Sequence, residues 1–349
     1  MKFFHLPGRF ALAMVSLVFF VGCGKAEVPI DGGVFLSVDG AETWHDRSNA
    51  QFIVQSGSMK DFTVNQLMFD PLEPRIVYAA TAQAGLFISE NDGEVWKQTT
   101  LGGNIARLDI NRKNTKILFA SSKNEVAKSV DQGKTWETVY VNTNRAAITD
   151  VFIDFTTPSR ILISTADGNI LQSIDNGINW QVIYSLEPKR PITRIVSDPA
   201  NSSALYILVP GSGFEKSTDG GVTWQPFVEV FKEFPDARNI TAFVIDPTDT
   251  AHIIIASRFG LLESRDAGGS WGSIETLLKD RVNIESLVIN PLNPRTVYFV
   301  VGNLIHKTED GGRSWMTLEG FPSTRPITQL LVHPVETSVL YAGTKKITK

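Results

Sequence analysis

Five arginines recur at one place in a repeating pattern. Arg145, Arg190, Arg238, Arg281 and Arg325 each stand two or three residues before the first apolar residue of a repeat unit. A guanidinium carries a rigid fork of N–H donors that matches the paired oxygens of a carboxylate or phosphate. In a chain of formal net charge −4, such a recurrence marks a candidate site for an anionic ligand or partner protein. The competing expectation is that each arginine is a strut, paired with Glu187, Asp236 or Asp280 close by in the sequence.

Other chemistry is thinly represented. Asp70, Asp154, Asp198 and Asp246 repeat at one turn position, which marks them as structural. Asp61, Glu233 and Asp280 lie outside the repeats and could flank a sugar bond as a carboxylate pair, but nothing sets two of them apart. The five histidines (His5, His45, His252, His306 and His333) show no metal-ligand spacing. No serine nucleophile elbow or phosphate loop is present. No catalytic, metal or cofactor residue is therefore assigned, and no cofactor is expected. No polybasic run points to nucleic acid.

The scaffold is written in an octapeptide. Residues 129–136 read Ser-x-Asp-x-Gly-x-Thr-Trp, and residues 217–224 repeat it in full. Copies at 37–44, 89–96, 173–180, 264–271 and 308–315 carry small exchanges, such as Ala41 for the glycine and Asn91 for the aspartate. All seven tryptophans close a copy: Trp44, Trp96, Trp136, Trp180, Trp224, Trp271 and Trp315. Apolar runs before the serine and after the tryptophan predict a hairpin. Asp131, Asp175, Asp219, Asp266 and Asp310 would accept turn amides, and the glycine permits positive φ. Each tryptophan is expected to lock the turn against its own blade. One acid per turn is too few for a calcium cage.

Upstream of each octapeptide lies a second unit: an apolar strand ending in Asp or Asn, a turn, and another apolar strand. From the anchors Val64, Ile105, Ile148, Ile192, Ile240, Ile284 and Ile327, the Asp/Asn position is always six residues on, with His333 filling the last. The octapeptide tryptophan follows its anchor by 31 or 32 residues. Four strands per unit is the signature of a propeller blade. The chain begins with a hairpin and ends with a strand pair, which together complete one blade. The expectation is an all-β, single seven-bladed β-propeller whose terminal strands share a blade, leaving no open edge.

The octapeptide resembles the Asp-box, or bacterial neuraminidase repeat, of β-propellers. That group includes sialidases, xyloglucanases, sortilin-type receptors and photosystem II assembly-factor propellers. The resemblance implies architecture across nearly the whole chain after the leader and leaves activity open. A sialidase would need an Arg-Ile-Pro motif and a Tyr/Glu pair. The nearest approach is Arg75-Ile76-Val77, and Tyr78, Tyr206, Tyr298 and Tyr341 recur as core positions. A xyloglucanase of this kind would place its acids between two propellers, and one is present here. Assembly-factor propellers carry an arginine-rich patch on one face, to which the five arginines are similar.

Residues 1–22 read as a signal peptide: Lys2 and Arg9 precede an apolar run that ends at Cys23, the chain's single cysteine. The Phe20-Val21-Gly22-Cys23 stretch resembles a bacterial lipobox, with Cys23 as the lipidated residue and 23–31 as a tether to the propeller at 32–349. Removing Lys2 and Arg9 with the leader leaves 31 basic against 37 acidic residues, a net charge of −6. The expected location is the bacterial cell envelope, outside the cytoplasm and anchored in a membrane, as a monomer.

Length variation falls in the loops that lead from each tryptophan to the next anchor, all on one face. The longest bring Phe52, Ile53, Met59 and Phe62, and then Phe227, Phe231 and Phe234. These form either a recognition surface or caps on the blades. The resulting expectation is a non-enzymatic, membrane-anchored binding scaffold for protein assembly or surface recognition, using the loop face. A glycan-binding or glycoside-hydrolase-like propeller is the alternative.

Overall fold

The computed structural model describes residues 31–347 except 228, 279 and 280. Residues 1–30, with Cys23, lie outside the described residues, as does Asp280. The chain forms a seven-bladed β-propeller of antiparallel four-stranded blades. The second blade is representative, with strands Ile105–Ile110, Leu118–Ser122, Glu125–Ser129 and Glu137–Val141 running outward from the channel. Second strands such as Ile161–Thr165 and Leu205–Val209 are buried at every residue, which explains their unbroken apolar runs. Inner strands such as Ile327–Val332 bury every third residue or so and leave the rest toward the channel.

The closing blade joins the two ends of the chain. Val34–Ser37 pairs with Leu340–Thr344 in the register Phe35↔Ala342 and Leu36↔Tyr341. His45–Asp46 adds the outer strand and Ile327–Val332 the inner one.

The octapeptide turns owe their shape to their own side chains. Asp131 Oδ1 accepts from Ser129 Oγ at 2.8 Å and from the Thr135 N–H at 2.9 Å, while Oδ2 accepts from Thr135 Oγ1 at 2.6 Å. Ser129 Oγ in turn accepts the Gly133 N–H at 2.8 Å. The donors hold the Asp131 carboxyl down at about 2, the Thr135 hydroxyl first among them. Trp136 Nε1 donates to the Gly133 carbonyl at 2.9 Å.

The tryptophan does not pack on its own blade alone. Trp136 joins a cluster of Tyr78, Leu86 and Ile88 from the preceding blade with Ile105, Leu108 and Leu118 from its own. Each of the seven core clusters lies at a seam between neighbouring blades and takes in one tryptophan. Gly133 sits at such a seam with φ +83°, and a Cβ there would lie 3.0 Å from Ile88 Cδ1. The octapeptide thus fastens blade to blade because its turn overhangs the neighbour.

The long loops turn out to be caps. Asn49–Gln51 runs parallel to Trp96–Gln98, with Ala50 opposite Trp96, and extends the first blade to six strands. Met59 is fully buried, and Phe52 and Phe62 lie against Phe87. Phe231 is buried over Gly213, which has no side chain to obstruct it, and Phe227 stacks on Phe214. Ile53 and Val54 remain exposed.

Candidate functional site

The loops that enter the inner strands place the five arginines in unlike settings. Asn142 shapes the loop before the third blade: its Nδ2 donates to the Ala146 carbonyl at 3.1 Å, and its own carbonyl accepts the Arg145 N–H at 3.0 Å. Arg145, at φ +61°, is exposed, and its guanidinium meets no acceptor among the described residues. Arg190 donates to Ser212 Oγ on the adjoining hairpin, and its Nε is enclosed without an acceptor. Glu187 does not pair with it. Arg238 ends the short helix Pro235–Arg238 and likewise has an enclosed Nε with no acceptor.

The other two are struts. Arg281 pairs with Asp236, an acid of the preceding loop, so that Asp236 is not spent on Arg238. Arg325 donates to the Lys60 carbonyl and lies 3.5 Å from Asp31 Oδ2. Arg145, Arg190 and Arg238 therefore enter three consecutive blades with no carboxylate partner among the described residues.

None of the five lines the central cavity of about 200 Å³. The arginines that do are Arg107 and Arg194, on inner strands, and neither stands out in the sequence. Their signal is positional: each is two residues after its anchor, a column that otherwise holds Gln66, Asp150, Ala242, Ser286 and Gln329. At the far end the channel widens into an apolar mouth lined by Phe69, Val244, Leu331 and a set of turn prolines.

Of the acids considered for hydrolysis, Asp61 and Glu233 are exposed and form no pair with each other. Asp154 and Asp246 are turn residues, each accepting the N–H groups two and three residues on. His252 is buried between Asp246 Oδ2 at 3.1 Å and Glu263 Oε2 at 3.4 Å. In the third blade Arg160 holds Asp154 from the same turn position, so His252 serves the scaffold. Among the described residues no cluster of His, Cys, Asp or Glu could hold a metal ion.

No protein-family model matches the chain, and no curated protein matches it. Solved structures match its fold. A GH74 enzyme from Niastella koreensis superimposes with TM-score 0.65 at 16% identity, over 89% of this chain and 53% of that one. The GH74 xyloglucanase from Xanthomonas campestris gives 0.66 at 15%, over 88% and 52%. This chain thus spans about half the length of those enzymes. YCF48 from Cyanidioschyzon merolae gives 0.64 at 14% identity, over 81% of this chain and 96% of that one. A YCF48 structure bound to D1 peptide gives 0.64 at 14%, over 82% and 94%.

Proposed function

We propose that the protein is a non-enzymatic Asp-box propeller, held at a membrane of the bacterial envelope by a lipid on Cys23, that binds an acidic polypeptide on its loop face. The observation that carries this reading is the trio Arg145, Arg190 and Arg238, whose charges no described carboxylate neutralises. Uncompensated rim cations steer an anionic partner and set its orientation, and their effect fades as salt rises. The likeness to YCF48, which matches this chain in length and binds a peptide, supports a polypeptide as the partner.

Capture from detergent-solubilised membranes tests it, with the lipidated protein as bait. The wild type should retain a partner that Arg145→Gln/Arg190→Gln loses and that elutes with rising salt. Equal, salt-insensitive capture by both would overturn the reading.

The equally good superposition on xyloglucanases favours a second reading, glycan binding or hydrolysis. Release of reducing ends from xyloglucan by the purified protein would establish it and displace the scaffold.

A further inference from the structure

The column two residues after each anchor normally fastens a blade to the next one. Gln66 accepts the Leu108 N–H at 2.7 Å and donates to the Leu108 carbonyl at 3.1 Å. Gln329 does the same with Leu67. Asp150 accepts from the Ile195 N–H and Ser286 from that of Leu330. An arginine has no acceptor and cannot perform this task.

In the second blade the fastening has moved two residues along. Asp109 Oδ2 accepts the Ile153 N–H at 2.6 Å, and loss of solvent pushes that carboxyl up to about 6. Arg107 is thereby relieved of holding the third blade and reaches back to the first. It gives one N–H to the Asn65 carbonyl at 3.0 Å. Arg194 gives its Nε–H to Asp150 Oδ2 at 3.1 Å. A guanidinium has five N–H groups, so on each arginine about four meet no protein acceptor among the described residues.

The two cations face one cavity and share one nearby carboxylate, which is already engaged by Arg194 and the Ile195 N–H. Burial, and then repulsion from Arg194, lower Arg107 to about 10. Glu285 also lines the cavity, but it is exposed and its Oε2 accepts the Gly302 N–H at 3.1 Å. Asn65, Thr241 and Thr328 also line the cavity, but their N–H and O–H groups are given to protein acceptors, so the anion donors there are the two guanidinium groups.

We propose that the channel binds a compact tetrahedral oxyanion of the phosphate or sulfate class, clasped between Arg107 and Arg194. Size agrees with the chemistry. The cavity of about 200 Å³ has room for such an ion and waters around it. It is smaller than the roughly 300–1,000 Å³ of pockets for larger organic ligands. This site is separate from the loop-face trio and does not rest on the proposed scaffold function.

The test is isothermal titration of the full chain in detergent with sodium phosphate, sulfate and glycerol phosphate at constant ionic strength. Wild type should show one saturable phosphate site. Arg107→Gln and Arg194→Gln should each weaken it at least tenfold, Glu285→Gln should tighten it severalfold, and Arg313→Gln on the opposite face should leave it unchanged. Glycerol phosphate as strong as phosphate would assign the ion to an ester; weaker binding would assign it to the free ion. If Arg107→Gln does not fold, Arg194→Gln decides, because that side chain is 42% exposed. No saturable binding by wild type, or equal binding by the arginine variants, overturns the proposal. Partner capture on the loop face should persist in Arg194→Gln, so the two readings fail independently.

Discussion

Trp96→Ala is the sharpest stability test of the seams between blades. Trp96 is fully buried where the closing blade meets the first, packed with Val34, Leu36 and Tyr341 on one side and Val77 and Phe87 on the other. Unlike most octapeptide tryptophans, its Nε1 reaches outside its own turn, donating to the Arg47 carbonyl at 2.7 Å. An indole burying about 200 Å² at about 25 cal/mol per Å² is stabilised by about 5 kcal/mol. Compactness of the unfolded chain lowers that by some 10–40%. The lost hydrogen bond adds back about 1 kcal/mol. The expected cost is thus about 4–5 kcal/mol, within the usual range for removing a large aromatic. Trp136→Ala, at a partly buried indole, should cost less. Equilibrium urea denaturation followed by circular dichroism reads both values. A Trp96→Ala cost below about 1 kcal/mol, or a larger cost at Trp136, would refute the argument that the seams hold the ring.

Further outcomes follow from single features. Gly213→Ala should be far more destabilising than Gly211→Ala: both have positive φ, but only at Gly213 would the new Cβ run into the Phe231 ring. Similar melting temperatures for the two would contradict the capping role of Phe231. Turn donors hold Asp39, Asp131, Asp175, Asp219 and Asp266 at about 2, so their contribution is present above about pH 4 and lost as pH falls through 2. Unfolding free energy that stays flat from pH 4 to pH 2 would remove this account. Asp109 acts with the opposite sign: raised to about 6, it favours the fold below about pH 4 and weakens it as pH rises through 6. Asp109→Asn should abolish that slope, and an unchanged slope would place its cause elsewhere. Labelling with a palmitate analogue should tag wild type and not Cys23→Ser, and equal labelling of both would refute lipidation.

Blade number and ring closure were legible because they rest on spacing. The anchors keep register with the Asp/Asn turns and the tryptophans, and a hairpin at one end must meet a strand pair at the other. The side chains that matter for binding were harder to read. Arg107 and Arg194 sit in a column whose residue types vary from Gln to Ala, so type alone hides them and only the register reveals it. The pairing of Arg281 with Asp236 joins two loops of unequal length, which no spacing rule predicts. Phe227 and Phe231 looked equally suited to a recognition surface. What decides otherwise is the missing side chain at Gly213, which lets the loop after the fourth blade fold back onto that blade. The tryptophans were expected to lock turns against their own blades, whereas they pack at the seams, because the overhang of each turn onto its neighbour is not a local property.

The scaffold reading turns on which face meets the partner. A photo-crosslinking amino acid placed at position 145, on the loop face, and at 313, on the octapeptide face, measures this in the membrane-anchored protein. The account predicts a polypeptide adduct from position 145 that diminishes with salt, and none from 313. An adduct from 313 alone would contradict it.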